Sequence, residues 1–157
     1  FDSMTVAENV AFPLVERHVG SREEADRRVD EILERLHIGE IRDRHPAEIS
    51  SGQMKRASLA RAMITEPPMI IYDEPTTGQD PMMTREVESM IREVQENFEV
   101  TSLVISHDMA LTFRVADHVA LLSGGEIIAE GPPRSLLESE DPRVEEFVFA
   151  SEVGAHV

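Results

Sequence analysis

Ile49-Ser50-Ser51-Gly52-Gln53 is a small polar turn leading straight into a helical run, and Met69-Ile70-Ile71-Tyr72-Asp73-Glu74 is an apolar strand ending in two adjacent carboxylates. Between the two, the periodicity of the chain changes. Ser50 is placed as the N-cap of a helix whose inward side includes Ala57, Ala60 and Ile64, and Glu66-Pro67-Pro68 ends that helix. Met69 to Tyr72 is then a short continuous apolar run, the pattern of a strand covered on both faces. A helical segment giving way to buried strand is the order expected of an α/β domain.

Upstream, every signal is helical. Thr5-Val6-Ala7-Glu8 reads as a capping box, followed by a stripe of Val6, Val10 and Leu14 that Pro13 is expected to break. Ser21-Arg22-Glu23-Glu24 reads as a second capping box, opening a helix with an apolar face of Ala25, Val29, Ile32, Leu33 and Leu36 and a stop at Gly39. A charged connection through Arg42, Asp43, Arg44, His45 and Pro46 leads to Ser50.

Downstream, strand and helix alternate. Pro81 suits the first turn of a helix carrying Met83, Val87, Met90, Ile91 and Val94. Val100 to Ser106 is a second buried strand, and Met109 to Ala116 a short helix. His118 to Leu122 and Glu126 to Ala129 flank Ser123-Gly124-Gly125, a hairpin turn signal. Two short helices come last, around Leu136 and from Val144 to Phe149. Residues 1–66 thus form a helical subdomain, and residues 67–157 the second part of a parallel-sheet α/β domain with a terminal hairpin and helices.

At 157 residues, 41% of them hydrophobic, the chain has the length and composition for a core of its own or for a large piece of a bigger domain. Aromatics make up only 4%, so aliphatic side chains and eight methionines carry the packing. No cysteine is present, which removes disulfides and thiolate metal sites. The formal charge of −16 disfavours nucleic acid and anionic lipid as direct partners, because phosphate binding needs clustered cations. No apolar run approaches bilayer-spanning length, so membrane association is expected through a protein partner rather than by insertion. The sequence begins at Phe1, within an amphipathic pattern, which raises the expectation of a fragment.

Three places carry groups suited to phosphate chemistry. Asp73 and Glu74 stand at the carboxyl end of a strand, where open α/β sheets place their ligands. An aspartate there suits Mg²⁺, a hard cation that takes oxygen ligands; the glutamate, expected on the opposite side of the strand, is able to polarise a water. Either carboxylate could equally be a solvated strand end. Ser50-Ser51-Gly52 offers backbone N–H groups and hydroxyls at the positive end of a helix, or is simply a cap. His107, after Leu103-Val104-Ile105, is able to bond a terminal phosphate oxygen. His18, His37, His45, His118 and His156 show no metal-ligand spacing and read as surface or structural residues.

In their order (polar helix start, apolar strand, Asp-Glu, Gly-x-Asp turn, strand-His) these pieces resemble the ATP-binding subunits of ABC transporters. Ile49 to Gln53 is similar to the family signature Leu-Ser-Gly-Gly-Gln, and Met69 to Asp73 to the Walker B strand, with Glu74 in the place of the catalytic glutamate. Thr77-Gly78-Gln79-Asp80 resembles the D-loop, and His107 the switch histidine. Ser51 stands where the signature has a glycine, adding a Cβ where backbone approaches phosphate. No G-x-x-x-x-G-K-[ST] occurs, and Lys55, the only lysine, sits in the signature helix. Phe12-Pro13-Leu14, Gly78-Gln79-Asp80-Pro81 and Asp141-Pro142-Arg143-Val144 further resemble Mla-type subunits, which move phospholipid between bacterial membranes.

The resemblance implies a P-loop NTPase-like sheet without its Walker A portion, and ATP and Mg²⁺ as cofactors. It implies that Ser50, Ser51, Gly52 and Gln53 complete the nucleotide site of a second, head-to-tail ATPase subunit. Asp73 would then hold the metal, Glu74 and His107 would be catalytic at this subunit's own site, and Asp80 would couple the two sites. The helix from Val6 to Leu14 is expected against transmembrane permease subunits, with the protein peripheral on the cytoplasmic face of the inner membrane. Two alternatives stand beside this: a non-catalytic interaction protein presenting a signature face, and an ABC ATPase of DNA repair or translation.

Overall fold

In the computed structural model, which describes residues 1–150, the first helix, α1 (Val6–Glu16), begins where Thr5 and Glu8 satisfy each other. Glu8 N–H donates to Thr5 Oγ1 at 3.2 Å, and Thr5 N–H to Glu8 Oε2 at 2.8 Å. Val6, Val10 and Leu14 are its buried stripe. Pro13 does not break it. A proline deletes one intrahelical bond, and here the packing of α1 against α2 (Arg22–Arg35) and α3 (Ser51–Met63) outweighs that loss.

The second box is only half formed. Ser21 Oγ accepts from Glu24 N–H at 3.2 Å, but the Glu24 carboxylate turns away to Arg27 Nη2 at 2.7 Å and Arg28 Nε at 3.0 Å, where charge-assisted bonds win. Nor is Gly39 the stop of α2. His37 takes the left-handed conformation, φ 54°, and Ile38 N–H bonds Leu33 O at 2.9 Å, a Schellman closure. His18, φ 54°, closes α1 in the same way through Val19 N–H and Leu14 O at 2.9 Å. Gly39 instead begins a 3₁₀ turn, Gly39–Ile41.

The connection through residues 42–48 is stitched to the start of α1, with Ala7 N–H on Arg42 O at 2.9 Å and Val6 N–H on Arg44 O at 2.8 Å. Two otherwise orphaned helix donors are thereby satisfied. Arg42 gathers Asp30 (2.7 Å), Asp43 (2.9 Å) and Asp26 (3.5 Å) around its guanidinium.

The chain divides into two units, residues 1–70 with 93–103, and residues 71–92 with 104 onward. In the first, Val29, Leu33, Leu36, Ile38, Ala60, Ile64 and Val94 are buried together with the α1 stripe. Arg56 Nη1 donates to Glu93 Oε2 at 2.7 Å and to Leu36 O at 3.2 Å.

Strands β1 (Met69–Asp73) and β2 (Thr101–Ile105) pair with each other. Thr101 N–H bonds Pro68 O at 3.1 Å at one end, and Glu74 N–H bonds Ile105 O at 2.9 Å at the other, so the two run parallel, as expected. Their burial departs from expectation. Ile70 and Tyr72 are buried, but Met69, Ile71, Leu103 and Ile105 are exposed. A continuous apolar run describes a strand able to be covered on both faces; within the described residues one face is covered.

In the second unit, α4 (Pro81–Asn97) begins at Pro81 and buries Val87, Met90 and Ile91 there. The hairpin of β3 (Val119–Ser123) and β4 (Glu126–Gly131) is antiparallel, with Ser123 opposite Glu126. Gly124 (φ 60°) and Gly125 (φ 84°) supply the two left-handed positions of its tight turn. A bulge between Leu121 and Leu122 shifts the register. Met109 and Val115 of α5 (Met109–Val115), Leu121, Leu136 of α6 (Pro133–Leu137), and Val144 and Val148 of α7 (Pro142–Ala150) are buried. His156 and the end of the expected second part lie outside the described residues.

Candidate functional site

The signature-like turn lies in the first unit. Ser50, extended at φ −70° and ψ 163°, caps α3: its Oγ accepts from Gln53 N–H at 3.2 Å, while Gln53 Oε1 accepts from Ser50 N–H at 3.0 Å. Gln53 Nε2 in turn reaches Glu40 Oε1 at 3.2 Å. The Ser50 hydroxyl is used here as an acceptor, so its own proton remains available to an anion. Ser51 is exposed, and Gly52 is buried in the first turn. The result is a rigid, polar helix start at the positive end of the α3 dipole.

The carboxylate end lies in the second unit. Asp73 is exposed at the last position of β1. Glu74 comes next in the left-handed region, φ 45°, immediately before Pro75. Positive φ is costly for a glutamate, and the position before proline narrows the backbone further. Strand alternation therefore does not set where Glu74 points, contrary to the expectation; the bend after the strand does. Its carboxylate Oε2 lies 2.8 Å from His107 Nδ1 and accepts from Thr77 Oγ1 at 2.9 Å. The His107 contact first, and the Thr77 hydroxyl next, hold the Glu74 carboxyl below the usual carboxylate range, with partial burial opposing them. Glu74 is thus ionised at neutral pH, the state needed to take a proton.

His107 is exposed, with Nδ1 engaged by Glu74. Its backbone is anchored by the neighbouring Asp108. That aspartate caps α5 through Leu111 N–H at 2.9 Å, takes Thr76 Oγ1 on its other oxygen at 3.4 Å, and gives its own N–H to Ser106 Oγ at 3.0 Å. Thr76 is among the few buried polar residues. The Gly-x-Asp turn is compact: Gln79 N–H bonds Thr76 O at 3.1 Å, and Gly78 turns at φ 71°. Asp80 Oδ1 caps α4, accepting from Met82 N–H at 2.8 Å and Met83 N–H at 3.0 Å.

Asp73, Glu74, His107 and Asp80 therefore occur in one unit, and Ser50 to Gln53 in the other. Sequence reasoning missed Thr76 and Asp108, and named Thr77 only within the Gly-x-Asp turn, without its contact to Glu74. Ser106-His107-Asp108 before an apolar run carries a detectable N-cap signal; the Thr77 contact has none. Among the described residues no grouping of three or more His, Cys, Asp or Glu side chains could enclose a metal. The exposed Asp73 carboxylate offers the hard oxygen donor that Mg²⁺ takes beside phosphate and water oxygens.

The ABC transporter family matches residues 1–77. Methionine import ATP-binding protein MetN 2 of Pseudomonas entomophila (strain L48) is 38% identical over 151 residues, 96% of this chain and 45% of the relative. Glucose import ATP-binding protein GlcV of Saccharolobus solfataricus is 37% identical over 139 residues, 88% of this chain and 39% of the relative. Among solved structures, cbiO1 from Clostridium perfringens, described as part of the ABC transporter complex cbiONQ, shares the fold with a TM-score of 0.78. The match has 28% identity and covers 96% of this chain and 60% of that one. The chain spans less than half the length of these two curated relatives. On the family match, the relatives and the shared α/β fold, this chain is similar to the ATP-binding domains of ABC transporters.

Proposed function

We propose that this chain supplies the signature, Walker B, D-loop and switch-histidine parts of an ATP-hydrolysing subunit that energises an ABC transporter. The observation that carries the reading is the Glu74–His107 contact of 2.8 Å, made at the ends of two parallel strands. Glu74 would take a proton from water as the water oxygen bonds the terminal phosphorus and the bond to the ADP oxygen breaks. Bound Mg²⁺ would neutralise charge on the phosphates, with Asp73 its protein ligand. His107 would hold Glu74 by donating its Nδ1–H to the carboxylate.

Residues 1–66 act in this reading as the signature subdomain and residues 67–157 as part of the ATPase core. Ser50, Ser51, Gly52 and Gln53 would meet the nucleotide of a second subunit, and Asp80, rigid because it caps α4, would carry the coupling between the two sites. The groove between α1 and α2 offers a seat for a permease segment. It has a volume of about 1030 Å³ and is lined by Phe12, Val15, Val19, Arg22 and Arg42 among others. Among the described residues no helix is long and apolar enough to cross a membrane. In this reading the permease holds the protein peripherally on the cytoplasmic face of the inner membrane.

For cargo we adopt solute import, the activity for which MetN 2 and GlcV are named. The phospholipid reading has only three short matches in its favour. Two of them have local explanations: Pro13 is packed within α1, and Asp141 caps α7 through Arg143 N–H at 2.9 Å. The test of the central claim is Glu74→Gln in the complete ATPase. Turnover is expected to fall roughly 10²–10⁴-fold with ATP binding retained. Near-normal turnover would place the base elsewhere.

A further inference from the structure

We propose that Thr77 is a positioning residue for Glu74, its hydroxyl pinning one carboxylate oxygen so that the other is the one offered to water. The inference rests on Glu74 being the base, and it adds a residue to that site. Thr77 Oγ1 donates to Glu74 Oε2 at 2.9 Å, and His107 Nδ1 meets the same oxygen at 2.8 Å. A carboxylate oxygen has two lone pairs, so these two contacts fill Oε2, and Oε1 carries neither of them. A glutamate side chain left to itself samples many rotamers, and each must be surrendered before a proton can be taken at a fixed point. With the hydroxyl tether, that ordering is in place before the water arrives.

The backbone makes the tether necessary. Glu74 sits at φ 45° before Pro75, outside the strand that could otherwise have aimed its side chain. Its main chain is fixed by Glu74 N–H on Ile105 O at 2.9 Å and by Thr77 N–H on Glu74 O at 3.2 Å. The turn that bonds Thr77 N–H to Glu74 O also brings the Thr77 side chain back over the carboxylate. Removing the hydroxyl leaves the backbone bond untouched, so a substitution isolates the side-chain contact.

The experiment is steady-state ATP hydrolysis by the complete ATPase in its transporter, comparing Thr77→Val, Thr77→Ala and Thr77→Ser with the parent. Thr77 is exposed, so these variants fold, and a melting curve for each confirms it. Losing a hydrogen bond to a charged group predicts kcat down about tenfold in Thr77→Val and Thr77→Ala, with KM for ATP within about twofold of the parent. Thr77→Ser keeps the hydroxyl and restores kcat to within about twofold. On a Glu74→Gln background, Thr77→Val should add no further loss. Parental kcat in Thr77→Val, or a Thr77→Ser as slow as Thr77→Val, would overturn the proposal. Glu74→Gln run alongside separates the failures. If Glu74→Gln is slow and Thr77→Val normal, only the tether is wrong; a normal Glu74→Gln removes the base and the tether with it.

Discussion

Arg56→Met is a sharp test of how the first unit is held. Arg56 and Glu93 are 2.7 Å apart, with side chains only 20% and 13% exposed, and Arg56 also donates to Leu36 O, the last carbonyl of the α2 cap, at 3.2 Å. The second Glu93 oxygen, Oε1, is buried without a hydrogen bond and has only His37 Nε2, 3.5 Å away. Methionine keeps most of the arginine stem volume but strands the carboxylate. Breaking a fully buried ion pair from one side costs roughly 3–5 kcal/mol. Residual exposure here reduces that figure, and the lost bond to Leu36 O adds about 1 kcal/mol, so the expected cost is about 3 kcal/mol. For a domain of this size that is a fall of about 6–12 °C in Tm, read by circular dichroism with a matching shift of the urea midpoint. Arg56→Met with Glu93→Leu should recover most of the loss, since an apolar pair of similar volume carries no desolvation cost. A fall of less than about 2 °C in Arg56→Met would refute the reasoning and mean that water serves Glu93.

Two further outcomes are expected, beside the Glu74→Gln and Thr77 measurements. Glu24 is held at about 2 by Arg27 and then Arg28, and Asp141 at about 2 by Arg143. Both lie below their ordinary values of 4.5 and 3.8, so their contribution to stability is complete above those values and is lost as pH falls to about 2. Carboxyl resonances of the two residues titrating at ordinary pH would contradict this. His18→Gly relieves the left-handed strain at φ 54° and should stabilise by about 0.5–1 kcal/mol. A lower melting temperature would mean that the His18 side chain contributes packing that its exposure hides.

Local chemistry was the legible part. Thr5 with Glu8, Ser50 as an N-cap, Pro81 at a helix start and the Gly124-Gly125 turn all act over a few residues, and each is found where it was expected. The misreadings have three causes: packing from groups distant in sequence, left-handed backbone at residues other than glycine, and, at Glu24, charged neighbours on the same helix. Pro13 stays helical because α2 and α3 pack on α1, and His37 rather than Gly39 ends α2 because a Schellman closure stabilises its left-handed backbone. The apolar runs of β1 and β2 reported the capacity of each face for burial, and not which face is covered.

The site divides in the same way. By itself the sequence determined which residue types stand at the strand ends and helix starts, and in what order, because those signals are short-range and survive in any context. It also determined the absence of a P-loop lysine from these 157 residues. Only the tertiary structure decided that Glu74 and His107, which follow different strands, meet at 2.8 Å, and that Thr77 shares the same oxygen. That meeting depends on the register of β1 against β2 and on a left-handed bend at Glu74, neither of which any local pattern encodes.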